Sequence, residues 1–262
     1  ASAMIKTYWA EKMKIDPKKI LSVATMCCTA KKYEAARPEL DVHGMRATDI
    51  VVTTREMGWM IKSAGIDFVN IKEEKPDSPL GLSSGAGAIF GVTGGVMEAA
   101  VRTAYELYTG ETLIDIELAD IRGFQGVKEA KVVIDGKELR LAVAHGLGNA
   151  HKVMEMVRKD RNRFHFVEVM ACPGGCIGGG GQPYAGVNSI PLDEEALKQR
   201  AQALYDLDRG KTIRRSHDNP DIQRLYREYL GRPLSEKSHE LLHTHYKAKL
   251  PRGIVSPELK IV

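Results

Sequence analysis

Four cysteines stand in two tight groups, Cys27-Cys28 and Cys172-x-x-x-Cys176, and each group closely follows an apolar run, ending in Met26 or Met170. Thiols so placed can ligate a soft metal or cluster, or act as nucleophiles, while four in 262 residues are too few for a disulfide scaffold. Reduced thiols suit a cytoplasmic setting, which is the expectation here. Around the later pair, six of the eight residues from Gly174 to Gly181 lack a side chain, so backbone can take φ > 0 and approach a bulky guest closely. A flexible linker would not follow a buried strand or hold two cysteines. Backbone N–H groups in such a loop form nests that suit anions, phosphates and thiolate-bound clusters included.

The residues leave several chemistries open. Cys28, Cys172 and Cys176 make three thiolates, one short of the four that a [4Fe–4S] cluster normally takes. Structural zinc needs four ligands, and Cys27 would have to reach the same ion as its neighbour Cys28. A cysteine nucleophile with His43, His145 or His151 as base has no spacing to support it. The His145-Gly-Leu-Gly loop before a helix can bind phosphate, but it lacks the full dinucleotide fingerprint. Lys31, three residues after Cys28, can donate to an anionic group or simply occupy a solvated helical turn. Met26 and Met170 read first as core filler, although a soft side chain beside a metal cluster also suits them.

The elements that must position these residues alternate as in an α/β protein. Ile20 to Met26 is expected to be a strand buried on both faces, Thr54 to cap a helix from Arg55 to Ala64, and Phe68 to Ile71 to form a second buried strand. A helix is expected from Gly94 to Tyr108. Lys131–Ile134 and Leu139–Ala144 flank Asp135-Gly136, the strongest short hairpin signal. A helix from Ala150 to Lys159 and a strand from Phe164 to Met170 follow. Asp193 and Asn219-Pro220 head two further helices, the first to about Leu207 and the second stopping at Gly231. Two strands thus deliver cysteines at their carboxyl ends, where open α/β sheets gather ligands.

With 43% hydrophobic and 27% charged residues, the composition is that of a globular chain, not a disordered one. Lys and Arg total 38 against 34 Asp and Glu, and these charges are scattered, which gives no footprint for nucleic acid. No apolar stretch reaches the ~20 residues that span a bilayer.

Three segments, Thr25-Met26-Cys27-Cys28-Thr29-Ala30-Lys31-Lys32-Tyr33-Glu34, Phe90-Gly91-Val92-Thr93-Gly94-Gly95-Val96-Met97-Glu98-Ala99-Ala100, and Glu168-Val169-Met170-Ala171-Cys172-Pro173-Gly174-Gly175-Cys176 through Gln182-Pro183, strongly resemble the catalytic domain of [FeFe]-hydrogenases. The likeness runs from near Met4 to His243-Thr244-His245-Tyr246. It implies an α/β fold of two lobes, 1–110 and 111–262, each mostly parallel sheet flanked by helices, with a cofactor cleft between them. It implies reversible reduction of protons to dihydrogen at an H-cluster, a [4Fe–4S] cubane joined to a diiron unit with CO, cyanide and azadithiolate. The resemblance assigns Cys28, Cys172 and Cys176 as metal ligands, with Cys176 as the bridge. It assigns Lys31 to a cyanide, Met26 and Met170 to the cluster's flank, and Phe90, Gln182 and Pro183 to the cofactor pocket.

Two departures from the family pattern stand out. Its first motif, Thr-Ser-Cys-Cys-Pro-x-Trp, would lie before the segment matching Met4; it carries a further cubane ligand and a proton-relaying cysteine, so a partner chain is one expected source. Its second motif commonly reads Met-Pro-Cys, where this sequence has Met26-Cys27-Cys28; the expectation is that Cys27 only takes the proline's place. An external electron carrier, such as a ferredoxin or a redox subunit, is also implied, because no cysteine remains to build an accessory cluster. The rival reading is a non-catalytic relative, either an iron–sulfur assembly factor or a hydrogen sensor.

Overall fold

The computed structural model describes residues 1–113, 117–187, 189 and 192–247. Helix α1 covers residues 2–13, with Ile5–Trp9 wound as a π-helix, and strand β1 is Val23–Met26. Helix α2 is Ala30–Ala35, a hairpin pairs β2 (Asp41–Val42) with β3 (Met45–Arg46), and β4 is Ile50–Thr53. Then come α3 (Thr54–Ser63), α4 (Gly85–Ile89) and α5 (Gly95–Thr109). The second half holds β5 (Val127–Ile134), β6 (Lys137–His145), α6 (Leu147–Lys159), β7 (Phe166–Met170), α7 (Glu194–Gly210), α8 (residues 220–230) and α9 (Glu236–Leu242).

Two sheets carry the cysteines. Strands β1 and β4 pair in parallel with Met26 opposite Thr53. Strand β6 pairs antiparallel with β5 and parallel with β7, which sets His145 opposite Met170. The β5–β6 turn is Asp135-Gly136, both at positive φ (48° and 72°), as a two-residue hairpin of matching twist requires. Along β6 the period-2 alternation is complete: Leu141 and Val143 pack with Met97, Val101 and Ile121 on the α5 side, and Ala142 and Ala144 with Val153 of α6 on the other. The helix before residue 110 and the strands after it therefore share one core.

Polar groups lock α7 to α5. Arg102, fully buried, forks both carboxylate oxygens of Asp208 at 2.9 and 2.8 Å and also pairs with Glu98 one turn away. A third cluster, Val92, Ile177, Leu197 and Ala201, seats α7 directly beneath the later cysteine segment.

Three sequence expectations give way. The first strand is shorter, because Ser22 uses its N–H on the Asp49 carboxylate (2.7 Å) and its carbonyl on the Asp49 and Ile50 amides, and it is not buried on both faces, with Val23 49% exposed. Helix α3 is capped by Thr53 instead of Thr54. Thr53 has Glu56 three residues on, and the two close a reciprocal capping box: Glu56 N–H to Thr53 Oγ1 at 3.2 Å and Thr53 N–H to Glu56 Oε2 at 2.8 Å. Phe68 to Ile71 is a turn, not a strand. The Asp67 carbonyl accepts the Asn70 and Ile71 amides, its carboxylate takes the Asn70 side chain at 2.8 Å, and Phe68 and Val69 stay 68% and 90% exposed.

Candidate functional site

The cysteines of the two sheets meet through backbone. The Gly181 N–H donates to the Cys27 carbonyl at 2.9 Å, while Arg55, in the first turn of α3, donates its own N–H to the Gly181 carbonyl (3.1 Å) and its guanidinium to the Gly180 carbonyl (2.7 Å). A Cβ on Gly179 would lie 2.2 Å from the Cys27 carbonyl oxygen, so the approach exists only because that residue has none. Gly175, at φ +97°, is pressed as closely on the other side, where a Cβ would meet the Thr93 nitrogen at 2.6 Å. The Ile177 N–H donates to Gly91 and the Thr93 N–H to Gly174, both at 3.0 Å. The glycine loop is thus clamped between the end of β1 and the turn that starts α5.

All four thiols are free and share one electrostatic environment. Hydrogen bonding between the Cys27 and Cys176 thiols, then burial, push Cys27 up, while the same pairing and the nearby Lys31 ammonium draw the Cys176 thiol down towards the thiolate. Burial, then the charges of Cys28 and Cys176, push Cys172 up. The Lys31 ammonium works against its own burial, but its pairing with Glu34 at 2.5 Å outweighs that and raises it. Met26 and Lys31 line a cavity of about 460 Å³ together with Val51, His243 and Thr244.

The other sequence-derived candidates lie around this group. Met170, half-buried, ends β7 and takes the Gly146 N–H on its carbonyl at 2.8 Å. Phe90 follows α4, 45% exposed, immediately before the Gly91 that receives Ile177. Gln182 closes the glycine loop by donating its N–H to Gly179 at 3.0 Å, and the Pro183 carbonyl accepts Arg200 of α7 at 2.7 Å. His43 sits exposed in the β2–β3 turn and His151 exposed on α6.

His145 is neither a base nor part of a phosphate loop. Its Nδ1 accepts the Gly174 N–H at 3.1 Å, so Nε2 carries the proton and donates to the Phe124 carbonyl, also at 3.1 Å. It pins the cysteine loop to β6. Glu168 is a supporting residue that pattern reading passed over. Buried in β7, it accepts the Gly94 N–H at 2.6 Å and the Met97 N–H at 2.7 Å, holding the positive end of α5. A carboxylate in the middle of an apolar strand was the available signal.

The donor set fits an iron–sulfur group: clustered thiols, a cation and a loop stripped of Cβ atoms. The buried Thr93 hydroxyl beside that loop has no hydrogen-bond partner among the described residues. The described residues thus form an α/β domain whose cysteine turns converge under a glycine-rich loop, the kind of site that holds an iron–sulfur group. The comparisons make the assignment particular: the iron only hydrogenase large subunit, C-terminal domain, matches residues 1–180, and the iron hydrogenase small subunit matches residues 194–249. The chain belongs to the iron only hydrogenase large-subunit family.

Among similar proteins, the NADP-reducing hydrogenase subunit HndD of Solidesulfovibrio fructosivorans is 54% identical over 93% of this chain and 41% of its own length. The chain thus spans about two fifths of that relative. The solved [FeFe]-hydrogenase HydA1 of Chlamydomonas reinhardtii superposes with a TM-score of 0.77 at 43% identity, covering 94% of this chain and 67% of that one. More distantly, cytosolic iron-sulfur assembly component 3 of Pongo abelii is 32% identical over 94% of this chain and 51% of its own. No helix among the described residues is long and apolar enough to cross a membrane.

Proposed function

We propose that this chain is the catalytic part of an [FeFe]-hydrogenase, interconverting protons, electrons and dihydrogen at an H-cluster. The observation that carries the reading is the clamp joining Cys27-Cys28 to Cys172–Cys176 through Gly181, with Lys31 close enough to act on Cys176. Cys28, Cys172 and Cys176 would hold the iron–sulfur part, Cys176 as the shared sulfur, and Lys31 would face an anionic ligand of the diiron part. When bound, the H-cluster supplies the redox chemistry and the site where dihydrogen is made or split.

The chain's own groups do the rest. The glycine loop excludes side chains and so lets backbone approach closely, Cys27 keeps its proton and hydrogen-bonds the Cys176 sulfur, and Met26, Met170 and Phe90 supply apolar wall. Lys31 places positive charge beside the thiols, where its ammonium can donate a charge-assisted hydrogen bond to an anion. Electrons would come from an external carrier such as a ferredoxin or a partner redox subunit, and the further cubane thiolate of the family from the first-motif segment. Reduced thiols suit a cytoplasmic location.

Likeness to the assembly components favours a second reading, an iron–sulfur protein without hydrogen chemistry. Lys31 and the complete Gly178–Gly181 loop argue for the enzyme. Infrared spectroscopy on the matured protein separates the two. CO and cyanide stretching bands are expected; a full complement of iron without those bands overturns the hydrogenase reading.

A further inference from the structure

Lys31 lies on α2, six residues long, with no side-chain cap and no buried residue. A helix that short cannot hold a side chain in place by its own stability. Its i,i+3 partner Glu34 takes the ammonium at 2.5 Å, but both groups are partly exposed, and such a pair alone leaves two long side chains free to swing together. What fixes Glu34 comes from the far end of the chain. The Tyr246 hydroxyl donates to Oε1 of Glu34 at 3.2 Å, while Lys31 holds Oε2. Both carboxylate oxygens are therefore engaged.

Tyr246 belongs to a strap, residues 244–247, moored along residues 34–39. Thr244 Oγ1 donates to the Glu39 carbonyl at 2.6 Å, and the Lys247 N–H reaches Glu39 Oε1 at 3.4 Å. The Arg37 guanidinium lies 4.6 Å from the centre of the Tyr246 ring and donates to the Lys247 carbonyl at 3.0 Å and to Glu39 Oε1 at 2.9 Å. Upstream, the ring of His239 on α9 packs edge-on against His243 and His245, with centroids 4.7 and 5.9 Å away. His243 and Thr244 also line the cavity that contains Lys31 and Met26. The strap is thus attached at both ends and borders the cavity where it begins, at Thr244.

We propose that this carboxy-terminal strap positions Lys31 for the cofactor, with Tyr246 a positioning residue that acts through Glu34. The proposal rests on the reading of Lys31 as the cation that faces the diiron part. It assigns the small-subunit-like segment a direct part in organising the site: docking of the strap sets where the ammonium points.

Tyr246→Phe keeps the ring beneath Arg37 and removes only the hydroxyl. The first readout needs no cofactor: competitive labelling of lysines with acetic anhydride, read by mass spectrometry as the ratio of Lys31 to Lys32. Lys32 pairs with Glu56 of α3 at 2.8 Å and serves as the internal reference. We expect the ratio to rise about fivefold, the equivalent of about 1 kcal/mol for one hydrogen bond, and Thr244→Val, which loosens the strap elsewhere, to raise it in the same direction. The second readout, after maturation, is a shift of the cyanide bands in Tyr246→Phe. An unchanged labelling ratio, or a parallel rise at Lys32, overturns the positioning role. A raised ratio in a protein whose parent shows no cyanide bands upholds the strap and overturns the hydrogenase reading, so the two failures are distinguishable.

Discussion

The Gly181 amide and the Cys27 carbonyl, 2.9 Å apart, join the two halves of the cysteine site. This contact brings the Gly178–Gly181 run against the end of β1, and Gly179 makes its tightest approach to Cys27. Its φ of −64° suits any residue, so what forbids a side chain is the Cys27 carbonyl 2.2 Å from the Cβ position, with the Cys176 carbonyl at 3.0 Å.

Gly179→Ala should therefore destabilise the fold by about 1–3 kcal/mol, the usual cost of overpacking, and lower the iron bound per chain. Gly58, inside α3 with nothing within 4 Å of its Cβ position, is the control. Gly58→Ala should stabilise by about 0.5–1 kcal/mol by helix propensity. Denaturant titration of both variants with iron analysis checks the pair; equal behaviour would show that the loop can retreat from Cys27.

Much of this was legible in the residues. The Asp135-Gly136 hairpin, the Asp193 and Asn219 caps and the cysteines at two strand ends are local signals, and the structure has them all. Errors arose where a local competitor or a distant partner decides. Asp67 and Asn70 turned an apolar run into a bend, and Asp49 cut β1 short by engaging the backbone of Ser22. His145 as a pin and Tyr246 as a clamp depend on contacts between distant segments, which periodicity does not encode. The glycine excess was visible, but which glycine is essential depends on what stands opposite.

The four cysteines should behave unequally. Cys28→Ser, Cys172→Ser and Cys176→Ser should each lose most of the iron taken up on reconstitution, because thiolate is the ligand and a hydroxyl replaces it poorly. Cys27→Pro should keep the iron, losing only the hydrogen bond to Cys176. Iron and sulfide analysis with absorbance near the charge-transfer bands reads this. Loss of iron in Cys27→Pro to the same extent as in Cys176→Ser would make Cys27 a ligand.

Acid stability should depend on Glu117. The Arg209 guanidinium hydrogen-bonds it at 3.1 Å, Arg122 and Arg214 stand beside it at 2.7 and 3.1 Å, and its carboxyl is held at about 2, below the usual carboxylate range. The folded state thus binds a proton less readily than the unfolded chain, so this contribution is fully present above about pH 4.5 and is lost as pH falls towards 2. Melting curves of wild type and Glu117→Gln should differ at neutral pH and converge towards pH 2. A gap that stays constant with pH would mean that packing, not charge, is what the substitution removes.

Glu168 offers the sharpest test of how the site is held from behind. Its two oxygens accept the amides of Gly94 and Met97 at the start of α5, where the helix dipole adds to the attraction, and the residue is buried. The next residue back, Thr93, gives its N–H to Gly174, so the same turn also carries the cysteine loop. Glu168→Gln is nearly isosteric, yet it removes the charge and sets an amide NH₂ against a backbone donor. One of the two amides must lose its acceptor. The expected cost is about 1.5–3 kcal/mol, the range for hydrogen bonds to a charged group, read as a shifted denaturation midpoint with unchanged slope. Because the displaced turn contacts Gly174, iron uptake should fall in parallel. Full stability with reduced iron would instead place Glu168 in electrostatic contact with the cofactor, since only its charge would then matter.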